Sequence, residues 1–158
     1  MKRNKTEDSI LKTEKTMKWW SYPAEGEDGN TIIITGRDDI EKWQKPGKFP
    51  VRVTVSWDYE PKPDGMPSDA DSALMEQATD ALLDEFGKDR CAVMTGIYTG
   101  CGRRDWIFYT HSLNIFGKVF NRALGNVPEM PLKFDAAEDP EWEEYRDMRE
   151  ATYVPDED

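Results

Sequence analysis

Three features of the sequence predict an α+β fold. Residues 51–59, VRVTVSWDY, alternate: Val51, Val53, Val55, Trp57 and Tyr59 are apolar, while Arg52, Thr54, Ser56 and Asp58 are polar. That period of two belongs to a strand with one buried face. Residues 68–87 instead carry Leu74, Ala78, Leu82 and Phe86 at intervals of four, the stripe of a helix. From residue 50 to residue 134 such signals run strand, helix, strand, strand, helix, strand. This order is the split β-α-β-β-α-β, ferredoxin-like arrangement, in which both helices cover one face of an antiparallel sheet.

The elements follow in order. Residues 1–18 are polar and without periodicity, and read as a flexible leader; Met17 could serve as an alternative start. Trp19–Ala24 and Thr31–Thr35 are extra N-terminal strands joined through Gly29-Asn30, a hairpin signal. Pro46-Gly47 breaks the crossing that follows, and "EPKPDGMP" after residue 59 ends the third strand, because proline cannot continue a ladder. Ser68 is a helix N-cap with Asp71 three residues on, and Gly87 is placed at the helix end. Residues 91–99 and 103–110 are two further strands. Ser112 caps a second helix whose apolar positions are Leu113, Phe116, Phe120 and Leu124, with Gly125 at its stop. "MPLKF" at 130–134 is a short last strand. In "EDPEWEEYRDM", Asp139 reads as an N-cap and Pro140 as the first residue of a short C-terminal helix, which Trp142 and Tyr145 anchor to the body. The single domain is expected over 19–153, with an acidic tail at 154–158.

Composition narrows the function classes. The chain has 158 residues, one domain's worth, with 34% charged and 11% aromatic residues, too aromatic for a disordered chain. No apolar run approaches the length of a membrane span, and the N-terminus lacks a secretory h-region, so a cytoplasmic protein without membrane contact is expected. The net charge of -11 is uneven: residues 1–18 carry +3, and Asp135–Asp158 carry eleven acids against Arg146 and Arg149. Such a surface repels nucleic acid, so none is expected to bind directly. The same charge suits a basic protein partner, or simple solubility.

The most site-like stretch is TGIYTGCGRRDWIFYT, residues 95–110. Phosphate loops place their glycines between a strand and a helix, so that the helix N-terminus faces the anion. Here Gly100-Cys101-Gly102 runs into an aromatic strand, which predicts a hairpin turn. Arg103 and Arg104 then point to opposite faces. One arginine beside aromatics binds a carboxylate or phosphate, or pairs with a surface acid such as those of the first helix. Cys91 and Cys101 would sit roughly 30 Å apart along one arm, so two free thiols are expected. The lone His111 must serve any catalytic triad; as a structural or surface histidine it serves none. Glu76, Asp80 and Asp84 stack along the first helix, and such a stripe is ordinarily its wet side, so no metal and no cofactor are expected. No catalytic residue stands out. Tyr98, Arg104, Trp106, Tyr109 and His111 are the candidate ligand or partner contacts. Most strand aromatics are expected in the core, but an uncovered sheet face rich in Trp and Tyr would be a partner surface.

The segments WWSYPA, FPVRVTVSW, the glycine before "MP", the 95–110 hairpin and the DPEW ending resemble, in order and spacing, the bacterial family catalogued as domain of unknown function 695. The resemblance spans about residues 19–150 and carries no established activity. The family is distantly similar to the regulator of ribonuclease E activity, type B, a small acidic α+β protein that inhibits an RNA-degrading enzyme by protein contact. The expectation is a non-enzymatic protein-interaction domain, regulatory in the manner of that relative, with an unidentified protein partner. The alternative is a small hydrolase or anion-binding protein using residues near the 96–111 hairpin. Self-association through the sheet is compatible with the same residues.

Overall fold

The computed structural model describes residues 17–44 and 47–155. The leader (through residue 16), Pro46 of the expected break and residues 156–158 of the acidic tail lie outside the described residues.

Among the described residues six strands form one antiparallel sheet: β1 (Trp19–Glu25), β2 (Thr31–Arg37), β3 (Val51–Asp58), β4 (Ala92–Gly100), β5 (Arg103–Thr110) and β6 (Leu132–Glu138). Their spatial order is β1-β2-β4-β5-β3-β6. The last four are the ferredoxin-like core, and the N-terminal hairpin extends it by pairing β2 with β4. The helices are α1 (Asp69–Lys88), α2 (Leu113–Ala123) and α3 (Glu143–Thr152). Ser68 caps α1 by accepting from the Asp71 amide, and Ser112 caps α2 from the Ile115 amide.

The period of two in β3 divides the sheet into two faces. Val53, Val55, Trp57 and Tyr59 join Met94, Trp106 and Phe108 on one face, beneath Met75, Ala78, Leu82 and Phe86 of α1 and Phe116, Val119 and Phe120 of α2. Leu113 lies outside that stripe, 49% exposed, and Val119 takes the inward place. The opposite face has its own smaller core. Trp20, Ile40, Phe49, Val93, Ile107 and Tyr109 are covered there by Trp142, Tyr145 and Met148 of the C-terminal segment. The aromatic face is therefore roofed by α3 over part of its extent.

Two local devices make this roof possible. Gly36 lies opposite Trp20, and a Cβ at position 36 would stand 2.1 Å from the Trp20 ring. The bare backbone lets that ring lie across β2, where its Nε1–H donates to Thr152 Oγ1 of α3. The second is a bulge between Met94 and Gly96. One extra residue, Thr95, switches which later side chains face which side. Ile97 stays under the helices while Tyr98 is turned toward α3.

The hairpin at Gly100–Arg103 has a two-residue loop, Cys101-Gly102, with φ of 53° and 79°. Positive φ at both positions is the type I′ geometry that suits the twist of paired strands. Several boundaries differ from the sequence reading. α1 continues through Gly87 to Lys88, where the Asp89 amide donates to the Glu85 carbonyl, so Gly87 does not end the helix. β2 continues past Thr35 to Arg37 because Trp19 and Trp20 pair with Arg37 and Gly36. β6 extends through Glu138 because residues 132–138 pair continuously with β3. And α3 begins at Glu143: Pro140–Trp142 form a turn in which Trp142 adopts a left-handed φ of 57°.

Candidate functional site

Asp139 organises the region where α3 meets the sheet. Its carboxylate accepts the amides of Glu143 (2.8 Å) and Glu144 (3.2 Å), capping α3 from outside its first turn. It also accepts the Tyr109 hydroxyl at 2.6 Å and Arg52 Nη1 at 3.0 Å. Burial opposes ionisation, but these donors outweigh it and hold the carboxyl below its ordinary pKa. Trp142 stacks on Tyr109 with ring centroids 4.3 Å apart and donates its Nε1–H to the Phe49 carbonyl. The Asp-Pro-Glu-Trp segment is thus a docking device for α3.

Beside it a groove of about 520 Å³ opens to solvent, lined by Ile34, Arg52, Tyr98, Glu143, Glu144, Asp147, Met148, Ala151 and Thr152. The Tyr98 hydroxyl donates to Glu144 Oε1 at 2.6 Å. Glu144 Oε2 is buried and accepts no hydrogen bond. Burial raises the Glu144 pKa against the pull of the Tyr98 bond and the Arg52 charge, and burial likewise raises those of Tyr98 and Tyr109. Arg52 is paired with Asp139 and acts on Glu144 only through its field, so the groove's charge is net negative, set by the carboxylates of Glu143, Glu144 and Asp147. Ile34, Met148 and Ala151 supply its apolar lining. An acidic rim over an apolar floor suits an aliphatic stem that ends in a cation.

The sequence-predicted contacts divide between the two faces. Tyr98 and Tyr109 lie on the α3 side, each donating to a carboxylate of the α3 approach. Arg104 and Trp106 lie on the other side, under α1, where Trp106 is 1% exposed and donates to Thr79 Oγ1. His111 is exposed just beyond β5, with its ring 6.1 Å from that of Phe49. Pairing of Arg104 with a surface acid of α1 is corrected by the structure. Its Nε–H donates to Thr99 Oγ1 at 2.9 Å, its guanidinium lies over the Trp106 ring at 5.6 Å, and among the described residues it forms no ion pair. Burial lowers its pKa. Both thiols are free, Cys91 buried and Cys101 exposed.

Sequence reasoning missed Arg52, Asp139 as a hub, Glu144 and Asp147. The alternation of β3 did place Arg52 opposite the Val53 face, and Trp142 with Tyr145 signalled that the last helix docks. The partner side chain, Tyr98, was invisible as a neighbour because the Thr95 bulge decides its face.

The family of unknown function DUF695 matches residues 17–148. The chain belongs to that family. The match runs from the threshold of β1 to Met148 of α3, so the whole sheet and most of the groove's lining fall within the DUF695 region. No curated protein and no solved structure matches. Among the described residues no helix of this DUF695 chain is long and apolar enough to cross a membrane.

Proposed function

We propose that this protein is a non-enzymatic interaction domain whose contact is the groove beside α3, and that its partner presents a lysine or arginine there. The observation that carries the reading is Glu144: a carboxylate in a solvent-open groove with one oxygen satisfied by Tyr98 and the other, though buried, without a donor. A cationic side chain in the groove offsets that buried charge through its field while pairing directly with the exposed carboxylates of Glu143 and Asp147, and its methylenes lie on Ile34 and Ala151. Glu143 and Asp147 on the same groove and the net charge of -11 favour approach of a basic surface. The distant likeness to the regulator of ribonuclease E activity, type B, a bacterial inhibitor acting by protein contact, agrees with a regulatory, cytoplasmic role of the same kind.

The test compares the full chain with a double variant, Glu144→Gln with Asp147→Asn, as baits in the same cell extract and against an arrayed library of lysine- and arginine-bearing peptides. A basic partner held at low salt by the natural chain and lost by the variant is the expected result. Undiminished capture by the variant, or an exclusively acidic set of peptides, overturns the reading.

A second reading, an anion-binding or hydrolytic site near the hairpin, has one observation in its favour: the Arg104 guanidinium, held on Trp106 and Thr99 without a carboxylate among the described residues. Titration with phosphate or acetate, followed by tryptophan fluorescence and controlled with Arg104→Met, tests it; an unchanged signal removes it.

A further inference from the structure

The two edges of the sheet are built differently. β1 carries Pro23, which has no N–H and interrupts an edge's row of donors. β6 contains no proline, pairs with β3 without a bulge, and is mostly exposed along its seven residues, LKFDAAE. Phe134 near its centre is 56% exposed on the helix face, its ring edge-on to Phe120 at 5.0 Å. On the other face, Lys133 and Asp135 flank it, one on each side along the strand. An open edge with an exposed aromatic is a template for another strand.

We infer that β6 pairs antiparallel with β6 of a second copy, centred on Phe134, so that one sheet runs continuously through both copies. The charge pattern selects this partner and this register. A two-fold axis perpendicular to the sheet keeps each face in place, so residues opposite one another share a face. Centred on Phe134, the axis sets Phe134 against Phe134, Leu132 against Ala136, and Lys133 against Asp135 twice. Centred one residue either way, it would set Asp135 against Asp135 or Lys133 against Lys133. Opposite charges directly across an antiparallel pair are favourable and like charges unfavourable, so the sequence of β6 is self-complementary in one of these three registers only. Lys133 also meets Asp58 of its own chain at 2.6 Å, yet stays 72% exposed and accessible to the second copy. The β6 edge and the α3 groove are separate surfaces, and pairing at the one does not depend on binding at the other.

The experiment is sedimentation equilibrium of the full chain at about 0.15 M salt, where the ~8 Å screening length damps repulsion between the two net charges. A concentration-dependent dimer is expected. Lys133→Glu and Asp135→Lys should each weaken it roughly tenfold, since two opposite-charge pairs become like-charge pairs. An equimolar mixture of the two single variants should restore it, because the acid introduced in one copy then faces the base introduced in the other. Both positions are exposed, and circular dichroism verifies that each variant is folded. A monomer at millimolar concentration overturns the proposal. So does a dimer indifferent to both substitutions, or one that the mixture fails to rescue. Protection of the 132–136 amides from exchange only by an added unrelated peptide assigns the edge to a different occupant and overturns self-pairing as well.

Discussion

The Tyr98 hydroxyl donates to Glu144 Oε1 at 2.6 Å, while the second oxygen of the same carboxylate is buried without a donor. A half-satisfied buried charge costs stability unless something else completes it. It therefore has a thermodynamic signature that is independent of any partner.

For Glu144 the folded-state pKa is raised, chiefly by burial. Above the unfolded value the folded chain therefore holds more protons than the unfolded chain. Stability from this group falls as pH rises from about 4.3 through the folded value, and is level beyond it. Glu144→Gln removes that dependence while keeping an acceptor for Tyr98. The variant is expected to be the more stable protein at pH 7, with the gap shrinking toward pH 4. Urea midpoints across pH 4–8 measure it; a variant less stable at neutral pH would contradict the buried, under-satisfied carboxylate.

Asp139 has the opposite sign. Its folded pKa is lowered by the Tyr109, Glu143, Glu144 and Arg52 donors, against the effect of burial. Its contribution is complete above about pH 4 and is lost as pH falls through the folded value. Asp139→Ala removes the cap of α3 and strands Tyr109 and Arg52, with an expected loss of about 3 kcal/mol. Hydrogen exchange should show the amides of 143–152 opening before those of β3–β5. Uniform destabilisation of the sheet, with α3 still protected, is the contrary result.

Gly36 and Gly117 make a matched pair. Gly36→Ala drives a methyl group into the Trp20 ring, breaks the Trp20–Thr152 hydrogen bond and should cost about 1–3 kcal/mol. Gly117 lies in α2 with nothing within 4 Å of its would-be Cβ, so Gly117→Ala should stabilise by up to about 1 kcal/mol. Thermal midpoints moving in opposite directions are the expected readout.

The thiols should separate cleanly. Burial pushes Cys91 up to about 11, so it should react only on unfolding. Cys101 is exposed, but its hydrogen bond to Asp28 at 3.3 Å raises its pKa. Asp28→Asn should speed alkylation of Cys101 at pH 8 in the native chain and leave Cys91 silent. An unchanged rate at Cys101 would dissociate the two residues in solution.

Much of this fold is written in local pattern. The alternation in β3, the stripe of α1, the serine caps and the Gly-Cys-Gly turn each depend on residues a few positions apart, so the chain order β-α-β-β-α-β was legible. The candidate site was not. It joins Tyr98 to Glu144 and Tyr109 to Asp139 across 46 and 30 residues of sequence. No periodicity spans such distances. The reading of Asp139 as an immediate N-cap failed for a related reason: the turn through Trp142 is fixed by stacking on Tyr109, a contact that local propensity does not contain.

By itself, then, the sequence determined the elements, their order and which side of β3 would be apolar, because period and capping are short-range chemistry. Only the tertiary structure decided that α3 would roof the second face, that Gly36 would admit Trp20, and that one extra residue at Thr95 would turn Tyr98 toward Glu144. A bulge costs a strand one residue of register and reverses the facing of the side chains after it, and no short-range period in the sequence marks where it falls.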